Sequence, residues 1–172
     1  MVYRTRFRSH QSKQRKRKMP NYDFKSDLQV AEQTEQQIAD FLYEYGWQTV
    51  EQNNDYRYDL LAVNEEGVEA TFEIKEDFTC RKTGNVGLEF ECRGKPSGIA
   101  TSKADYYIYK LHEPDGRLSL YINSTDEVKK MVKNKRYFKI VCGGDPGSNS
   151  MNYLFKLNTF KECFSYLGVL QC

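Results

Sequence analysis

Asp59, Glu73 and Lys75 are the residues whose types and spacing can do chemistry. Residues 56–63 and 68–77 are rich in β-branched and aromatic side chains and flank a turn that ends in Gly67, so they are predicted as a β-hairpin. A three-residue connection, Glu65-Glu66-Gly67 with the glycine left-handed, fixes the register. Asn64 then faces Val68, Leu61 faces Thr71 and Asp59 faces Glu73, which sets two carboxylates side by side. Strand side chains repeat every second residue, so Lys75 shares the face of Glu73 while Phe72 and Ile74 enter the opposite layer. Like charges held this close are tolerated on a solvated edge or around a divalent cation. The first alternative is simply a wet hairpin face. The second, with oxygen ligands only, suits Mg²⁺ or Mn²⁺ rather than Zn²⁺.

The elements that must position these groups follow from periodicity. Residues 26–45 are predicted as a helix capped by Ser26 and stopped by Gly46, with Ala31, Ile38 and Leu42 on its apolar stripe. Glu35 falls on the same stripe, where an isolated charge is expensive and needs a partner, whereas Asp40 and Glu44 lie on the wet side. A first strand is expected at 47–50 and a polar loop at 52–55. Beyond the hairpin, residues 78–86 are turn-rich, and 87–92 alternate as a strand with Glu89 and Glu91 on one face, Glu89 being a further acidic candidate. Residues 93–98 form a loop with Arg93, Lys95 and two glycines that suits approach to a phosphate backbone, and Lys103 follows in a short helical or turn segment. A strand at 106–111 is too aromatic to be wet on both faces, and 117–122 return from a turn at 113–116. A basic helix at 125–134 is capped by Ser124 or Thr125, strands are expected at 137–142 and 153–157, and a helix closes the chain at 159–166.

The 172 residues fit one domain with an appendage, and 39% hydrophobic content suffices for a modest core. No apolar run approaches a bilayer crossing, and the basic N-terminus lacks the apolar segment of a signal peptide, so a soluble, cytoplasmic protein is expected. Five cysteines without a Cys-x-x-Cys pair are expected as reduced thiols, and two histidines, His10 and His112, are too few for most zinc sites. Charge is unevenly spread. Residues 1–19 hold eight Lys or Arg and no acid, leaving 18 basic against 24 acidic residues in the rest. The segment 1–20, with Arg4, Arg6, Arg8, Arg15, Lys16, Arg17 and Lys18, is therefore expected to be a flexible arm, either a phosphate-binding one or a solvated tail.

Glu35 on a helix, Asp59 at one strand and Glu73-Ile74-Lys75 on the next resemble the PD-(D/E)XK nuclease superfamily, and residues 83–91 and 94–107, with Lys95-Pro96-Ser97-Gly98, look like its phage-type endonuclease or resolvase-like branch. The likeness spans residues 26–110 and departs at Tyr58, where the motif has proline. It implies an α/β fold with a central mixed sheet flanked by helices, in αβββαβ order, over residues 21–172. It also implies hydrolysis of DNA phosphodiester bonds in the cytoplasm of a bacterial or phage-infected cell, with a homodimer compatible. Asp59, Glu73 and the Ile74 carbonyl would hold Mg²⁺, with Mn²⁺ able to substitute. Lys75 would orient or help deprotonate the attacking water, and Glu35 would be an outer ligand or would position a water. The alternative from another class is a nucleic-acid-binding module that keeps the fold without the chemistry.

Overall fold

A computed structural model of the chain describes residues 24–52, 57–143 and 149–170. The basic arm lies outside the described residues, as do the tip of the 52–55 loop and the middle of the Gly-rich loop after residue 143. Helix α1 (Phe24–Glu44) is followed by β1 (Trp47–Gln52), β2 (Leu60–Asn64) and β3 (Glu69–Asp77). A four-residue helix α2 (Cys80–Thr83) leads to β4 (Asn85–Cys92), β5 (Lys95–Pro96) and a 3-10 turn at Gly98–Ala100. Then come β6 (Tyr106–His112), β7 (Leu118–Ser124), α3 (Thr125–Lys133), β8 (Lys139–Gly143), β9 (Ser150–Lys156), α4 (Leu157–Cys163) and β10 (Ser165–Val169).

The expected mixed central sheet is present. Its six strands run β1-β2-β3-β6-β7-β10, antiparallel except where β6 lies parallel to β3. A second, antiparallel sheet of four strands runs β5-β4-β9-β8. A parallel pair needs a crossover, usually a helix. Here the crossover from β3 to β6 instead carries α2, β4, β5 and the 3-10 turn, so the single helix expected between those strands is largely replaced by part of the second sheet.

Strand alternation divides the core in two. On one face Leu60, Ala62, Phe72, Ile74, Ile108 and Leu120 pack with Ile38, Ala39 and Leu42 of α1. On the other, Tyr107, Tyr109, Leu111 and Tyr121 pack with α3, α4 and the inner face of the second sheet through Val128, Phe160, Leu88 and Phe155.

Several sequence expectations need correction. Helix α1 begins at Phe24, so Ser26 is inside it rather than its cap. Ala31 is exposed, as are Leu28 and Val30, because the first turns of α1 reach beyond the apolar patch that buries Ile38 and Leu42. A bulge in β4 sets Glu89 opposite Asn152 but Glu91 opposite the adjacent Met151, so the two acids take opposite faces rather than one. The last helix stops at Cys163, and Ser165–Val169 pairs with β7 as an edge strand where helix was expected to Tyr166. The basic helix α3 matches its expectation: Ser124 accepts from the Glu127 amide at 3.3 Å, Val128 and Met131 are buried, and Lys129, Lys130 and Lys133 are exposed.

Candidate active site

The β2–β3 hairpin has the register that its turn demands. Gly67 sits at φ +80°, the Asn64 amide donates to Val68 O at 3.0 Å, and Leu61 pairs with Thr71. Asp59 stands one residue before β2, with its amide donating to Phe72 O at 2.9 Å. Its carboxylate crosses to β3 and accepts from the Ile74 amide at 2.6 Å. Because a strand residue turns its N–H and C=O to the same neighbour, the Ile74 carbonyl leaves β3 on this edge as well.

Glu73 and Lys75 share a face and form an ion pair of 2.5 Å, with Glu73 almost buried and the Lys75 side chain 38% exposed. Burial works against the ammonium, yet the charges of Glu73 and Asp59 raise its pKa above the ordinary lysine value. Burial also raises the Asp59 carboxyl; Lys75 pulls it down, Glu73 pushes it up, and the Ile74 amide lowers it again. Glu35, half-buried on α1, is pushed up to about 7, first by burial and then by Asp59 and Glu32, with Lys75 opposing. The hairpin thus brings Asp59, Glu73 and Lys75 together, and Glu35 on α1 lies close enough to feel the charges of Asp59 and Lys75. Among the described residues no group of three or more His, Cys, Asp or Glu side chains is arranged to hold a metal ion. The expected set, Asp59, Glu73 and the Ile74 carbonyl, offers only oxygen atoms, the donor type that a hard divalent cation takes.

Lys75 also lines a groove of about 700 Å³ between β3 and the outer face of the second sheet, with Gly87, Glu89, Tyr109 and Asn152 on its walls. The Lys95-Pro96-Ser97-Gly98 run holds Glu89 in this groove. Ser97 Oγ donates to Glu89 Oε1 at 2.6 Å, and Gly98, at φ +50°, lies so close to the Glu89 carbonyl that a Cβ would stand 2.4 Å from it. Only glycine fits there. Arg93 and Lys95 are exposed at the β4–β5 turn. Lys103 is exposed elsewhere and shares a separate concavity of about 260 Å³ with Lys129.

Sequence reading missed two sets of residues. Tyr107, paired with Glu73 across the parallel β3–β6 ladder, is fully buried, and burial and the charge of Glu73 raise its pKa against the opposing effect of Ser102. Finding it required the parallel register, which no turn encodes. On the opposite face of β3, Glu76 meets Lys110 at 2.8 Å and His112 at 2.7 Å and accepts from Thr34 of α1. Alternation from Phe72 and Ile74 places Glu76 on that face, and this was the available signal.

No protein-family model matches the chain, and no curated protein sequence matches it. Among solved structures the chain is similar to a bacterial homing endonuclease, I-Ssp6803I, at 19% identity and a TM-score of 0.44, covering 59% of this chain and 70% of that one.

Proposed function

We propose that the protein is a metal-dependent DNA endonuclease that hydrolyses phosphodiester bonds at the Glu35–Asp59–Glu73–Lys75 site. The observation that carries this reading is the Asp59–Glu73–Lys75 cluster at the open end of the hairpin, with Asp59 tied to the Ile74 amide, Lys75 paired with Glu73 and partly exposed, and Glu35 within reach of the Asp59 charge. Asp59, Glu73 and the Ile74 carbonyl are the residues that would hold Mg²⁺, or Mn²⁺ in its place. When bound, the ion supplies Lewis-acid polarisation of the scissile phosphate and acidifies a water. Lys75 is held as an ammonium by Glu73 and Asp59, so it donates to the attacking water or to a phosphate oxygen and offsets the charge that develops there. Glu35, with a carboxyl pushed up to about 7, accepts a hydrogen bond from water in its ionised form and exchanges a proton near neutrality. Its burial beside Asp59 supplies that tuning.

The described body must meet DNA through local cations, for which Arg93, Lys95, Lys103 and the exposed face of α3 are the candidates, supplemented by the basic arm. The test is incubation of the full chain with labelled linear duplex, four-way junction, flap and single strand in Mg²⁺, beside Lys75→Ala. Cleavage of at least one form by the wild type alone is the expected result. Binding of all four without cleavage would leave a nucleic-acid-binding module and sink the enzyme.

A further inference from the structure

The apolar contact between α1 and the sheet is not directional. Ile38, Ala39 and Leu42 rest on Leu60, Phe72 and Ile74, and such a face tolerates sliding and rotation. Yet the site needs α1 in one register, because a slip of one residue turns Glu35 by about 100° around the helix axis. A polar cluster beside this apolar patch supplies direction. The Lys110 ammonium donates to Gln37 Oε1 at 2.8 Å and to Thr34 Oγ1 at 3.3 Å, and it pairs with Glu76 Oε1 at 2.8 Å, which uses all three of its donors. Thr34 in turn donates to Glu76 Oε2. The tie therefore joins the residue before Glu35 to the residue after Lys75. Both ions are buried, with side-chain exposures of 8% and 9% for Lys110 and Glu76. A buried pair of this kind is commonly matched or exceeded in stability by apolar residues of similar volume, so stability alone does not account for it.

We propose that Thr34, Gln37, Glu76 and Lys110 are positioning residues that fix the rotation and axial register of α1 on β3 and β6 and thereby place Glu35 beside Asp59. This rests on the metal-site reading above. None of the four touches the reacting atoms; they act through Glu35.

The test replaces the ions together, Glu76→Leu with Lys110→Met, so that no charge is left buried alone, and pairs this with Thr34→Val, which removes the hydroxyl, and Thr34→Ser, which keeps it. Free Mn²⁺ is followed by electron paramagnetic resonance, cleavage is followed against Mg²⁺ concentration, and amide exchange is read over residues 31–38. The double variant should melt at or above the wild-type temperature. Its Mn²⁺ affinity should fall by about tenfold or more, as is usual when outer partners of a metal site are lost, and its Mg²⁺ half-saturation should rise by the same factor. Thr34→Val should move both in the same direction, and Thr34→Ser should restore them. Wild-type Mn²⁺ affinity and Mg²⁺ dependence in the double variant and in Thr34→Val would overturn the proposal. If the double variant does not fold, the Thr34 pair decides. If the wild type itself takes up no Mn²⁺, the metal reading fails separately. Exchange then decides the clamp: faster exchange confined to residues 31–38 at unchanged global stability supports it, and unchanged exchange overturns it.

Discussion

Strand β3 carries charged clusters on both faces, one residue apart, and the two are resolved in opposite ways. On the α1 side, Glu76 receives Lys110, His112 and Thr34. Burial would raise its carboxyl, but these hydrogen bonds hold it below the ordinary carboxylate value. In the other cluster Asp59 and Glu73 share Lys75, with Glu35 approaching from α1; burial and the charge of Asp59 raise Glu35, while burial and the charge of Glu73 raise Asp59. A completed network has its charges satisfied, whereas one with more carboxylates than cations leaves charge unbalanced, and the metal site proposed above rests on that imbalance. Proximity to the same strand thus says little about role; the balance of donors and acceptors says more.

The largest expected effect lies on the incomplete side. Lys75→Ala should lower cleavage by about 10²- to 10⁴-fold with DNA affinity nearly unchanged in a binding assay, since its charge is needed where negative charge develops. Cleavage at the wild-type rate would place the site elsewhere. On the completed side the loss should appear in stability. Lys110→Ala leaves Glu76 buried without its cation and should cost about 3–5 kcal/mol in urea unfolding. Asp59→Asn and Glu73→Gln sharpen the contrast, because they should weaken Mn²⁺ binding without a comparable loss of stability.

A smaller effect follows from titration. The folded Glu35 carboxyl sits at about 7 against 4.5 for a free one, so the native state holds this proton more tightly than the unfolded state. Its contribution is fully present below pH 4.5 and is lost as pH rises through 7. Glu35→Gln should therefore be more stable than the wild type at pH 8, by about 1 kcal/mol once solvent screening of this half-exposed group is allowed for, and should show no such fall. Equal urea midpoints at pH 8 would show that neither burial nor the neighbouring charges penalise the ionised Glu35.

The smallest effect concerns the arm. Each phosphate contact contributes about 0.9 to the slope of log affinity against log salt, so deleting residues 2–18 should flatten that slope and weaken binding to all sequences alike, with chemistry preserved at saturating DNA. An unchanged slope would make the arm a solvated tail, and a changed sequence preference would show that it reads bases.

Local rules made part of this legible in the sequence. Gly67 and the β-branched runs around it encode the hairpin register, and that register alone carries Asp59 to Glu73 and Lys75. Ser124 likewise announces α3. What stayed hidden depends on pairings distant in sequence. The parallel β3–β6 ladder brings Tyr107 to Glu73, and the α1–β6 contact lets Lys110 reach Thr34 and Gln37. Ser165 and Tyr166, the start of β10, fall within the expected helix because a short stretch such as Phe164 to Leu167 has no decisive period, and the edge of β7 settles its conformation. The β4 bulge, pinned by Ser97 and Gly98, separates Glu89 from Glu91 against simple alternation.

The most direct test of the metal site is plasmid cleavage by the full chain across divalent ions. Cleavage should require Mg²⁺ or Mn²⁺, stop with EDTA, and be blocked by Ca²⁺, which accepts looser geometry and activates water poorly. Cleavage that survives chelation, or that proceeds equally well in Ca²⁺, would contradict the account.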